Sequence, residues 1–140
     1  MKLTTKGRYA VTAMVDLACH AEAGPVPLAE ISARQEISLS YLEQLFAKMR
    51  RQGLVNSVRG PGGGYVLALT TSAISVADII RAVDEPIRAT SCDENTPGGC
   101  MKNSRCITHH LWEHLGERIF DYLESISLSR LIEGDPRDLV

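Results

Sequence analysis

Ser38-Leu-Ser-Tyr-Leu-Glu-Gln-Leu-Phe-Ala-Lys-Met-Arg-Arg-Gln-Gly53 is the stretch on which the reading of this 140-residue chain turns. The Ser38 hydroxyl can cap a helix, and Gly53 can close one in the left-handed conformation that a β-carbon disfavours. Between them Leu39, Leu42, Leu45, Phe46 and Met49 recur at helical spacing. The pattern predicts a helix over about 38–52, with that stripe inward and Ser40, Glu43, Gln44, Ala47 and Arg51 on the opposite face. Serine, glutamine and glutamate can each address a base edge in a DNA major groove. Glutamate is the selective one, because phosphates repel it and only a base offering a donor, such as the cytosine amino group, compensates. Glu43 also lies three residues after Ser40, the spacing of a capping box, so a purely structural role stays open.

On the N-terminal side, Pro27 opens a shorter helix through Leu28, Ala29 and Ile31 to about Arg34, and Glu36-Ile37 makes a tight turn. Two short helices so joined, the second with polar side chains outward, describe a helix-turn-helix. On the C-terminal side, residues 54–59 read as a strand, Gly60-Pro-Gly-Gly-Gly64 as a turn and 65–68 as a returning strand, a wing over about 54–68. The glycine run lacks the Gly-Lys-Ser/Thr ending and following helix of a phosphate loop, and suits instead a hairpin tip that approaches another backbone closely. Arg59, at the base of that tip, is placed for a narrow minor groove. The expected DNA contacts are therefore Ser38, Ser40, Tyr41, Glu43, Gln44, Arg59, Gly60 and Gly62.

A first helix runs from Thr4 or Thr5 to about Ala21, with Tyr9, Ala10, Ala13, Met14, Leu17 and Ala18 as its stripe and Cys19 beside it as a packed thiol. Lys2, Lys6 and Arg8 stand at its start, where the helix dipole disfavours cations. That placement suits phosphate contact, and Lys6 and Arg8 join the DNA-binding set. Ser75 with Asp78 marks a capping box for a further helix with Val76, Ile79, Ile80 and Val83 inward, ended by Glu85-Pro86. Residues 1–84 thus read as a mostly α winged helix-turn-helix domain with a small β-hairpin.

From about Thr108 a long helix carries Leu111, Trp112, Leu115, Ile119, Tyr122, Leu123 and Ile126. An apolar stripe beyond a domain that already has a core fits a second copy of itself, with packing on the first helix as the alternative. Two winged helices about a twofold axis would read a pseudo-palindrome. Residues 108–132 are accordingly the dimerisation helix and a last turn begun by Ser127, and 133–140 a frayed tail.

Between the two parts, residues 85–107 lead through Cys92-Asp-Glu-Asn-Thr-Pro-Gly-Gly-Cys100-Met-Lys-Asn-Ser-Arg-Cys106-Ile-Thr-His109, which holds three of the four cysteines. A disulfide frame fits poorly, since three is odd and no secretory leader is seen. A soft-ligand site of three thiolates and an imidazole remains. Structural zinc usually takes its ligands in tight pairs. Here the cysteines are separated by seven and five residues, which leans toward an iron-sulfur cluster. An imidazole in place of a fourth thiolate raises a cluster's potential and makes it easier to lose, which suits a sensor. His110, next to His109, is the alternative nitrogen ligand.

Apolar residues make up 44% of the chain, enough for a core, and the formal net charge is -2. Its distribution is uneven, with eight Lys/Arg against five Asp/Glu in residues 1–65 and seven against twelve in 66–140. The basic first half fits an anionic partner. No apolar run is long enough for a membrane span, so a cytoplasmic protein without membrane partner is expected. No nucleophile–base pair or nucleotide fingerprint points to an enzyme.

These pieces resemble the IscR family of iron-sulfur cluster regulators, a branch of the winged-helix bacterial transcription factors. The resemblance is carried by residues 3–14, 37–45 and 58–65 and by the Cys-x5-Cys-x2-His ending of the loop. It implies a homodimer with one 2Fe-2S cluster per subunit, held by Cys92, Cys100, Cys106 and His109 and received from the cluster-assembly machinery. It implies control of cluster-assembly genes, with cluster occupancy changing promoter choice. It further implies that Ser40, Glu43 and Gln44 face the major groove, that Arg59 enters the minor groove, and that Glu43 helps separate two promoter classes. The Cys92–Cys100 gap is longer than in the best-known members, and the chain stops soon after its last helix. Two other readings are a nitric-oxide or redox sensor of the same fold, and a cluster scaffold or electron carrier without DNA. The recognition helix and wing count against the second.

Overall fold

Ala10, Ala13, Met14 and Leu17 recur three and four residues apart, and all are fully buried along one face of α1 (Thr5–Cys19). The structure, a computed structural model, describes residues 5–85, 87 and 107–134; Lys2, Cys92, Cys100, Cys106 and the tail from 135 lie outside the described residues. Cys19 was expected to pack, yet it is exposed. Two residues past Leu17 is a rotation of about 200° around the helix, which carries the thiol to the far side. Tyr9 is likewise partly exposed, its ring set edge-on to Tyr41 at 6.0 Å.

After a single 3-10 turn come α2 (Leu28–Gln35) and α3 (Leu39–Arg51), joined by Glu36 in the left-handed conformation, φ 55°. Ser38 caps α3, its hydroxyl accepting from the Tyr41 amide at 3.2 Å. The helix closes with Gly53 at φ 79°, whose amide donates to Arg50 O while the Leu54 amide donates to Met49 O, both at 3.0 Å. This double closure satisfies the last carbonyls of the helix. Leu42, Leu45, Phe46 and Met49 are buried, but Leu39, expected inward, is 41% exposed. Ile37, just before the cap, is buried in the core instead.

β1 (Val55–Val58) pairs antiparallel with β2 (Gly64–Leu67), with Val55 opposite Leu67 and Ser57 opposite Tyr65. The wing docks on the domain through Val26 and Tyr65, whose amides donate to each other's carbonyls at 2.9 Å. A β-carbon at Gly64 would overlap the Val26 backbone, so only glycine lets the strands come this close. The Phe46 ring meets Tyr65 at 4.9 Å, fixing the wing against α3.

α4 (Val76–Ala82) begins in the expected capping box of Ser75 and Asp78, and Val76, Ile79, Ile80 and Val83 are buried. α5 (His109–Ser125) leans on α4, with Arg81 above the Phe120 ring at 5.0 Å. The chain then turns back: the Val76 amide donates to Ile126 O at 2.8 Å and the Leu128 amide to Ile74 O at 2.9 Å. α6 (Leu128–Glu133), capped by Ser127, places Leu128 in the main core beside α1. Among the described residues no helix is long and apolar enough to cross a membrane.

One ion pair, its carboxylate buried and its guanidinium partly exposed, locks α1 to α2. Arg34 grips the Asp16 carboxylate with Nε at 3.0 Å and Nη2 at 2.7 Å, and Gln35 Nε2 donates at 2.9 Å. Burial pushes the Asp16 carboxyl up, but hydrogen bonds from Arg34 and Gln35, with the Arg34 charge, outweigh it and hold the group below its ordinary value of 3.8. A depressed folded-state value means a contribution present above the unfolded pKa and lost as pH falls through the folded one. Asp16→Asn is therefore expected to cost about 1–3 kcal/mol at neutral pH in urea denaturation. Below about pH 4 the variant should lose less further stability than the wild type.

Candidate nucleic-acid interface and ligand loop

With its inner face buried, α3 leaves Ser40, Glu43 and Gln44 exposed on the other side, joined further along by Arg51. Ser38 is the N-cap, so Tyr41, not Glu43, holds the third helical position. The capping-box reading of Glu43 lapses, and its carboxylate stands free of the cap. Ser38 Oγ and Ser40 Oγ lie 3.1 Å apart at the exposed start of the helix, and Tyr41 is half-buried beside them.

Arg59 and Gly60 to Gly62 form an exposed wing tip. Gly60 at φ 98° and Gly62 at φ 73° adopt left-handed backbone, and the Gly63 amide donates to Gly60 O at 2.9 Å to close the turn. Sequence reasoning missed Arg50, whose Nη1 donates to Ser57 Oγ at 3.3 Å and ties α3 to β1. It falls seven residues after Glu43, two turns along the same face, so the periodicity that found Glu43 could have found it.

The two α1 cations sit differently. Arg8 is exposed. Lys6 is half-buried against Lys48, Asp84 and Glu85. Hydrogen bonding with Lys48, then burial and the Lys48 charge, lower its pKa from the ordinary lysine value, while Asp84 and Glu85 oppose the shift.

At the ligand loop, the described portion begins at Ile107. His109 opens α5 with its side chain 17% exposed, whereas His110 is 87% exposed. Glu113 Oε2 lies 3.9 Å from His109 Nε2 and 3.6 Å from His110 Nδ1. Trp112 Nε1 donates to Thr108 Oγ1 at 2.9 Å, pinning the turn that carries His109. Of the two imidazoles, that of His109 is the less exposed. Thiolates together with an imidazole are a donor chemistry that an iron-sulfur cluster accepts. The thiols themselves lie outside the described residues.

Along α5, Leu111, Trp112, Leu115 and Tyr122 are all exposed, and Ile119 is half-buried. Two residues expected on this face also meet the chain's own core. Leu123 is half-buried against the small cluster of Val76, Ile80 and Ile126, and Ile126 is only 3% exposed inside it. Ile126 lies past the end of the helix in extended conformation, so its side chain departs from the helical face and turns to α4.

Residues 3–134 match the Rrf2 family, described as an iron-dependent transcriptional regulator. The chain is 59% identical over 134 residues to the HTH-type transcriptional regulator IscR of Xenorhabdus nematophila, covering 96% of this chain and 80% of that one. It is 57% identical over 134 residues to the Escherichia coli protein of the same name, covering 96% and 82%. Among solved structures it is similar to T. potens IscR, with a TM-score of 0.76 and 41% identity over 95% of this chain and 87% of the other. It is also similar to CymR, the global cysteine regulator of B. subtilis, with a TM-score of 0.78 and 35% identity over 96% and 99%. The likeness takes in the helix-turn-helix, the wing and the helices that follow, and the chain is a winged-helix, DNA-binding transcriptional regulator belonging to the Rrf2 family.

Proposed function

We propose that this regulator senses iron-sulfur cluster status. One 2Fe-2S cluster per subunit, received from the assembly machinery, is held by Cys92, Cys100, Cys106 and His109, and its presence changes which promoters a cytoplasmic homodimer occupies, those of cluster-assembly genes among them. The observation that carries this is the placement of His109, inward at the first residue of α5 and three residues after Cys106, with His110 in water. The greater identity to proteins named IscR than to CymR favours cluster sensing over the sibling readings. When bound, the cluster supplies a labile, redox-sensitive crosslink between the loop and α5. Its function is binding, not catalysis.

The remaining work falls to this chain's own groups. Ser40, Glu43 and Gln44 meet base edges in the major groove. Arg59 enters the minor groove, and the Gly60 and Gly62 backbone approaches phosphates without a β-carbon in the way. Ser38, Tyr41, Arg8 and Lys6 serve the phosphate backbone, which positions the protein without specifying sequence. Leu111, Trp112, Leu115, Ile119 and Tyr122 form the twofold contact, which sets two recognition helices against a pseudo-palindrome.

Protein purified without oxygen should be red-brown with about two irons and two acid-labile sulfides per chain, and Cys92→Ala should lose both. Zinc as the sole metal would overturn the cluster reading, and equal DNA affinity with and without the cluster on every promoter would overturn sensing. In quantitative mobility shifts, Arg59→Ala should weaken all sites by roughly tenfold, about 1–2 kcal/mol. Glu43→Ala should instead bring rejected sequences within reach; a uniform loss from both would remove Glu43 as discriminator. Leu115→Glu should sediment as a monomer, since a carboxylate cannot be buried unpaired in an apolar contact.

A further inference from the structure

The recognition helix and the segment that leads into the cysteine loop meet at one joint. Lys48 of α3, one turn beyond Gln44, has its Nζ 3.2 Å from Asp84 Oδ2. Asp84 lies just past α4 with φ 60°, one of two described non-glycine residues with positive φ. Its amide donates to Arg81 O at 3.0 Å, and the Glu85 amide to Ile80 O at 3.3 Å. Glu85 is only 4% exposed and sits against α1, where a β-carbon at Gly7 would overlap its Oε2. Lys6 faces the same joint. Asp84-Glu85 therefore touches α1 and α3 together, and the first loop thiol, Cys92, follows within a reach of at most about 29 Å of extended chain.

The ion pair is a poor candidate for a stability device. Asp84 is 71% exposed and Lys48 29%, and pairs so open to water add little to folding. Left-handed backbone at a residue with a β-carbon is itself unfavourable. A strained residue joined to a DNA-reading helix by a weak, breakable contact is suited to transmit position. We propose that Asp84 and Lys48 are positioning residues that couple the ligand loop to the recognition helix. With the loop held by its ligand, Asp84-Glu85 stays fixed and anchors α3 in the setting that presents Glu43 and Gln44. With the loop released, Asp84 can leave Lys48, and α3 loses that anchor. This rests on the cluster reading above.

The test uses the full-length dimer, cluster-loaded or stripped with a chelator, and duplexes selected in vitro by each form of the wild type. Anisotropy titrations give the ratio of loaded to stripped affinity on the duplex that prefers the loaded form. In Asp84→Asn that ratio should shrink by roughly threefold or more, the scale expected from one exposed pair. Iron and sulfide content and the melting temperature should stay close to wild type. Lys48→Gln, which leaves the loop untouched, should shrink the ratio similarly; any direct loss of DNA charge falls on both forms and cancels. The double variant should show no further loss. A wild-type ratio in Lys48→Gln, or in Asp84→Asn with its cluster retained, would overturn the coupling alone. A wild type with no difference between loaded and stripped forms would overturn cluster sensing, and the coupling with it.

Discussion

The complete burial of one face of α3 is the constraint on which the rest depends. Leu42, Phe46 and Met49 are fully buried and Leu45 nearly so. Close packing of that kind fixes the rotation of a helix about its axis, because a twist of even one position would open a void or drive a charge into the core. The outer face can then be short, polar and unsupported, which is what reading bases requires. Phe46 extends the same constraint to the wing: its ring lies between the core and Tyr65, and Tyr65 is hydrogen-bonded in turn to Val26. Recognition helix, wing and α1–α2 connection are thus set by one aromatic contact and one close backbone approach.

Electrostatics complements this arrangement. A net charge of -2 would not by itself bring a protein to DNA, but the basic excess lies in the residues that build the DNA-binding domain. Arg50 ties α3 to the wing, Arg51 is exposed at the end of α3 and Arg59 is exposed at the wing tip. Phosphate attraction falls off over about 8 Å at physiological salt, so local charge governs docking more than the total does. Asp16 and Asp84 are each bound to a cation and so subtract little from the field.

How much of this could be read from residues alone follows from the range of the interaction that decides it. Ser38, Gly53 and the Ser75–Asp78 box act within four residues of themselves: α3 begins and ends, and α4 begins, as expected, while α4 stops at Ala82, short of the Glu85-Pro86 end expected for it. The hairpin was equally local. Leu39 and Ile126 were misplaced because each lies at or just past a helix end, where the period that assigns a face stops applying, whereas Cys19 follows the period and falls on the far side of α1 from Leu17. The Asp16–Arg34 clamp, Arg50–Ser57 and Lys48–Asp84 left no trace in the sequence pattern, since the partners of each meet only once the elements between them have folded. On the ligand side, the spacing of Cys106, His109 and His110 could not separate the two imidazoles; the start of α5 leaves His109 half-buried and His110 exposed.

That direction also bears on how one state could influence another. His109 and the exposed residues Leu111, Trp112, Leu115 and Tyr122 belong to one continuous helix, which moves as a rod over distances of this size. The far end of the rod is not free, because Ile126 is pinned to Val76 and Leu128 to Ile74, beside the start of α4. Just past the end of α4, Asp84 and Glu85 lie against α3 and α1. On the proposed reading, a ligand bound between the loop and His109 therefore acts on both ends of α4, through the loop at one and through α5 at the other. Such a closed path resists small displacements more than a single tether would, so it favours two distinct settings of the domain over a continuum, as a switch requires.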